Sequence, residues 1–207
     1  MPRPVNPKRR REVLDAVIGC LAHTGIGQFT LRGVAAALGQ STRVLTHHFA
    51  DKGELLVAVM RRLDEQQHHA LRTTEGWEDP AVPVSAVVRS AWERNLGEVE
   101  LPMTRLIREI EGLAAAGRLP EAVPDFVRGR ADFVASCLTL RGVPERTALI
   151  TATMLNATFA GLQADYLTTS DAERARGALD ELCHWLDAVV AARGDRRGEG
   201  TPRQSGS

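Results

Sequence analysis

The chain has 207 residues with 26 basic and 26 acidic side chains, so its formal net charge is zero. Hydrophobic residues make up 43% and aromatic ones only 4%, which places it with globular proteins whose cores are built of Leu, Val, Ala and Ile. No stretch approaches the roughly 18 uncharged apolar residues of a membrane span, no apolar leader follows the basic start, and β-branched alternation is scarce, so we expect an all-α, cytoplasmic protein with no membrane partner.

The charge is unevenly distributed. Through Lys52 there are eight basic side chains (Arg3, Lys8, Arg9, Arg10, Arg11, Arg32, Arg43, Lys52) against three acidic ones (Glu12, Asp15, Asp51), and the remainder carries the compensating acidic excess. Only the front of the molecule is suited to a polyanion, because phosphate attraction supplies most sequence-independent nucleic-acid affinity. Cys20, Cys137 and Cys183 are odd in number, far apart and set within helical patterns, which disfavours a disulfide framework or a Cys-rich zinc site. Buried thiols are expected, with a redox-sensing role for one of them left open.

In chain order, the first helix is predicted from about Pro7 to His23, with Val13, Ala16, Val17, Cys20 and Leu21 as its apolar stripe and Gly25 and Gly27 ending it. Its first turns carry Arg9, Arg10 and Arg11, where the helix dipole favours anions instead. A contact to phosphate or the minor groove accounts for them better than folding does.

From Thr30 to Phe49 the spacing predicts two short helices with a corner at Gly39: Leu31, Val34, Ala35 and Leu38 on the first, and Val44, Leu45 and Phe49 on the second, capped by Ser41 or Thr42. This is a helix-turn-helix pattern. Its second helix exposes Thr42, Arg43, Thr46 and His47, groups small enough to enter a DNA major groove. Asp51 and Glu54 then form a capping-box-like start to a long connecting helix reaching about Leu71, and Lys52 in its first turn lies beside free backbone N–H groups, a combination suited to one phosphate. His47-His48 and His68-His69 invite a metal reading, but neighbours on a helix point about 100° apart and cannot chelate as a pair. No metal and no cofactor are expected.

Thr30-Leu31-Arg32, Val34-Ala35, Leu38-Gly39, Ser41, Leu45, His47-His48-Phe49 and Lys52-Gly53-Glu54-Leu55-Leu56 together resemble the DNA-binding signature of the tetracycline-repressor (TetR) family of bacterial transcriptional regulators, over roughly Arg11 to Met60. The resemblance implies an all-α homodimer: an N-terminal three-helix head that binds double-stranded DNA, and a larger C-terminal helical domain for ligand binding and dimerisation. It makes Thr30, Ser41 and Lys52 phosphate binders, with Arg32 on the same basic side, and Thr42, Arg43 and Thr46 candidates for base edges. Arg43 suits a guanine, because its fork matches O6 and N7. Where the family commonly has a tyrosine this chain has Thr46, whose reach to a phosphate is shorter.

Beyond Thr73 no motif is as specific. Asp79-Pro80 is expected to open a helix running to about Leu96, Pro102 another running to Gly117, and Glu121 to Arg141 a third. In the TetR family such helices surround an effector cavity, and for an unidentified, largely apolar small molecule the expected lining is Trp92, Met103, Leu106, Ile107, Ile110, Phe126, Phe133, Met154 and Phe159, with Thr153 or Asn156 as polar anchor. The same residues also describe a plain core. Glu145 to Thr168 is rich in small residues, and after a capping box at Ser170-Asp171-Ala172-Glu173 the stripe Ala175, Leu179, Leu182, Cys183, Leu186, Val189 and Val190 follows; two such helices per subunit suit a four-helix dimer interface. The expected division is a head over 1–52, a body over 53–193 and a disordered tail over 194–207. The function read from this is a ligand-responsive repressor on a pseudo-palindromic operator. A ligand-independent architectural DNA binder is the alternative, and an enzyme is not expected, since the C-terminal half shows no spaced nucleophile-base pair, phosphate loop or metal-ligand cluster.

Overall fold

The computed structural model describes residues 7–27, 29–119 and 123–198. Among them are nine helices and no strand: α1 (Pro7–Thr24), α2 (Leu31–Ala37), α3 (Thr42–His48), α4 (Lys52–Arg72), α5 (Val84–Leu96), α6 (Leu101–Ala115), α7 (Val123–Leu140), α8 (Glu145–Thr169) and α9 (Ala172–Gly198). None is long and apolar enough to cross a membrane. Packing separates the chain into two compact units, Met1–His69 with Asn95–Arg128, and Ala70–Arg94 with Gly129–Ser207.

The first unit is larger than a head of 52 residues, for a reason that lies in its core. Three short helices of about 50 residues bury little apolar surface by themselves. Here α1 contributes Val13, Leu14, Val17, Ile18 and Leu21, α4 contributes Leu55, Leu56, Val59, Met60 and Leu63, and α6 brings Leu106, Ile107 and Ile110 into the same cluster, together with Phe126. Asp15 on α1 ties α4 down: Arg62 donates to both its carboxylate oxygens at 2.7 and 3.1 Å, and Gln66 adds a third bond at 3.0 Å.

In the second unit Ala175, Leu179, Leu182, Cys183 and Leu186 of the α9 stripe are buried within the single chain, and Val189 and Val190 are half-buried. Ser85 on α5 donates its N–H and hydroxyl to Asp187 on α9 at 3.2 and 2.5 Å. Trp77 stacks on Phe133 with ring centres 4.7 Å apart, and Trp92 meets Phe159 edge-on at 5.5 Å. Arg141 is buried with no carboxylate partner among the described residues. Its guanidinium donates to the carbonyls of Gly76, Trp77, Asp79, Val82 and Cys137, so that one side chain gathers the loop between α4 and α5. Its Nη1 also lies 3.0 Å from the Cys137 sulfur. Burial pushes the thiols of Cys137 and Cys183 up from their ordinary pKa.

Four local expectations change. Asp79-Pro80 forms a turn, with the Asp79 carboxylate accepting the Ala81 N–H at 2.9 Å, and α5 begins only after Pro83, at Val84. Ser170 does not start the last helix but ends α8 in a left-handed conformation (φ 60°); Asp171 is the cap, its side chain accepting the Arg174 N–H at 3.0 Å. α9 continues to Gly198, past residue 194 where a tail was expected. The rest of that expected tail, 199–207, lies outside the described residues. The small residues of α8 are split between two faces: Ala148 and Ala152 are buried, whereas Ala157, Gly161 and Ala164 are exposed.

Candidate nucleic-acid interface

The corner between α2 and α3 is set by backbone geometry. Thr30 is extended and its hydroxyl oxygen accepts the Gly33 N–H at 3.0 Å, capping α2. α2 stops where Gly39 adopts φ 62°, a left-handed conformation that costs a side-chain-bearing residue about 1 kcal/mol. The Gly39 and Gln40 N–H groups return to Ala36 O and Ala35 O at 3.0 and 2.8 Å, closing the turn. Val34, Ala35, Leu45 and Phe49 are buried beneath it, which fixes α3 by its inner face.

The outer face of α3 therefore carries Arg43, Thr46 and His47, all exposed, with Thr42 half-buried at its start. Arg43 has no ion-pair or hydrogen-bond partner among the described residues, and the same holds for Arg32 and Arg11. Thr46 differs: its hydroxyl donates back to its own helix, 3.2 Å from Thr42 O and 3.3 Å from Arg43 O, so it presents a methyl rather than a donor. Ser41 occupies the cap of α3 without a side-chain cap bond. The hydroxyl of Thr30 keeps its proton for an outside acceptor, because only its oxygen is engaged in capping.

The remaining basic residues are not equivalent. Arg9 pairs with Glu12 at 3.1 Å. Arg10 lies over the Phe49 ring at 4.7 Å and 3.7 Å from Glu54, which braces α1 against the corner where α3 meets α4. Lys52, at the first turn of α4, is exposed with its ammonium 5.2 Å from the Phe29 ring centre. That turn is capped reciprocally, Asp51 accepting the Glu54 N–H at 2.8 Å and Glu54 accepting the Ala50 N–H at 2.6 Å. His48 is half-buried with Nδ1 unpartnered, and burial first, then the charges of His47, Arg10 and Arg9, hold its pKa below the ordinary value.

The residues expected to line an effector site are divided. Leu106, Ile107, Ile110 and Phe126 fill the core of the first unit, with Met103 packed at its edge. Trp92, Phe133 and Phe159 belong to the second unit, in two separate aromatic pairs. Thr153 and Met154 face solvent, and the Thr153 hydroxyl is bound to Leu149 O at 2.8 Å, because that side of α8 points away from the core. Asn156 has an unpartnered Nδ2, as has the fully buried Gln163 at Nε2 seven residues on. Sequence reasoning passed over Gln163, Trp77, Glu109 and Arg141. For Arg141 the only signal was an arginine directly before a glycine-ended helix, which is common on surfaces too.

A small head whose second short helix is anchored by Leu45 and shows solvent a basic, hydroxyl-bearing face is the construction of a helix-turn-helix protein. Over residues 13–59 the chain matches the sequence model of the bacterial regulatory proteins, tetR family. Over 67 residues it is 34% identical to the HTH-type transcriptional regulator BetI of Klebsiella pneumoniae, and over 68 residues 37% identical to the HTH-type transcriptional repressor Rv1474c of Mycobacterium tuberculosis. These matches cover 32% and 33% of this chain and only 34% and 36% of those relatives, about a third of their length. Across almost the whole fold the chain is similar to the multidrug binding protein EbrR complexed with ethidium, with TM-score 0.68, 26% identity, and coverage of 86% of this chain and 98% of that one.

Proposed function

We propose that the chain is a homodimeric DNA-binding repressor whose hold on a pseudo-palindromic operator is released by a small, largely apolar effector. The observation that carries this reading is the exposed face of α3, where Arg43 offers its donors to nothing among the described residues. Thr30, Ser41 and Lys52 would bind phosphates beside it, with His47 also against the DNA backbone and Arg9, Arg11 and Arg32 adding charge, while Arg43, Thr42 and Thr46 meet base edges. Two copies related by a two-fold axis would place their α3 helices in successive major grooves, about 34 Å apart.

A second copy has a surface to meet. Ile150 and Met154 on α8 are 55% and 50% exposed. Ala157, Gly161 and Ala164 continue the same face at helical spacing, all exposed, which lets another helix approach closely. Leu140 and Leu149 extend it into an open groove of about 600 Å³ between α7 and α8. Support for an effector comes from the second unit, which holds the Trp92–Phe159 pair and, on α8, the unpartnered amides of Asn156 and Gln163, and from the likeness to EbrR complexed with ethidium. The domain division that goes with this reading is a DNA-binding head followed by a helical effector and dimerisation body.

Footprinting on selected duplexes tests the reading. Protection of an inverted repeat by a dimer, relieved by a screened ligand, is the expected result. A uniform smear at moderate salt, or a monomer, would sink it and return the architectural alternative.

A further inference from the structure

The turn between α1 and α2 is held from α6 by a single carboxylate. Glu109 Oε2 accepts the Ile26 N–H and Oε1 the Gly27 N–H, each at 2.9 Å. Successive N–H groups converge on one anion only when the chain reverses sharply, and Gly25 supplies that reversal with φ 76°. The glycines on either side are the ones the carboxylate requires. A Cβ on Gly25 would sit 3.0 Å from Oε2, and one on Gly27 3.3 Å from Oε1. Bonds from backbone N–H to an ionised carboxylate are about twice as strong as neutral ones.

What this clamp governs follows from the next residues. Ile26 and Phe29 are buried in the head core, the Phe29 N–H bonds to Ile26 O at 3.1 Å, and Thr30 then caps α2. The direction in which α2 leaves is thereby set by the turn, and α3 is anchored against α2. On the α6 side, Leu106 and Ile110 are buried in that core, so the helix bearing Glu109 cannot yield easily.

We infer that Glu109 is a positioning residue for DNA recognition: it fixes the α1–α2 turn and so sets the angle at which the helix-turn-helix presents Arg43. This rests on the DNA-binding reading above. It assigns α6 a part in recognition that no residue of α6 performs by touching DNA.

The test compares wild type with Glu109→Ala, Glu109→Gln and Gly27→Ala, measuring affinity for a selected duplex and a random duplex well below the melting temperature. Loss of the clamp is expected to lower specific affinity roughly ten- to hundredfold, with random-duplex affinity little changed. Glu109→Gln, which keeps one acceptor, should recover part of the loss. Faster hydrogen exchange at the Ile26 and Gly27 amides should accompany it. Gly27→Ala crowds the same contact from the other side without removing a side chain, so it stands in if Glu109→Ala does not fold, and the pair should be non-additive. A residue that only stabilises the fold would lower the melting temperature and leave the ratio of specific to random affinity unchanged; that result overturns the inference. Wild type failing to prefer any duplex would instead overturn the DNA-binding reading itself.

Discussion

Two arginines of this chain show how its two units differ. Arg43 stands on the exposed face of α3 with no acceptor among the described residues, whereas Arg141 is buried in the second unit with its donors spread over five backbone carbonyls. One guanidinium is open to solvent, and the other is closed around the chain itself. On the proposed DNA-binding reading the first serves recognition and the second architecture, so the two should respond to substitution in opposite assays.

Replacing Arg141 is the harshest way to probe the contrast. Arg141→Ala strands several buried carbonyls and opens a void, and should lower stability by roughly 3 kcal/mol or more, read as an earlier urea midpoint. A change within the noise would mean that the 74–83 loop is held by something else. Arg43→Ala should do the reverse: an unchanged midpoint, with about 1–3 kcal/mol of discrimination lost at one base position. Preference left intact at every position would remove Arg43 from the base-reading set. Lys52→Ala sharpens the distinction between reading and gripping. It should weaken binding to all duplexes alike and reduce the slope of log affinity against log salt by about one.

The smallest effect concerns His48. Because its folded-state pKa is depressed, the unfolded chain takes up a proton first as pH falls below 6.5, and the neutral folded form loses stability over that window. Urea titrations at pH 7.5 and 5.5 should show a loss that shrinks in His48→Gln. An identical loss in the variant would assign the effect elsewhere.

Much of the head was legible because its signals are local. Gly39 and the apolar spacing of Val34, Ala35, Leu45 and Phe49 all act within a few residues, so chain order is enough to place the corner. The second unit is different in kind. Whether Trp92 faced Phe133 or Phe159, or whether the α9 stripe was buried within its own chain, depends on contacts between different helices, such as that of Ser85 with Asp187, 102 positions away. Ser170 was misread for a subtler reason: Ser170 and Asp171 both favour caps, and only the left-handed turn at Ser170 shows which of them ends α8 and which begins α9. Glu109 escaped notice because a carboxylate bound to main-chain N–H groups leaves no partner type in the sequence to look for.

The placement of tryptophan has a practical consequence. Trp77, Trp92 and Trp185 all fall in the second unit, and the chain has three in total, so the helix-turn-helix head contains none. Intrinsic emission excited at the indole band is accordingly blind to the head and reports on the other unit alone, with Trp77 stacked on Phe133 and Trp92 beside Phe159 as its buried fluorophores. A screen for quenching or blue shift can therefore look for small-molecule binding in unmodified protein, without a dye and without DNA in the cuvette.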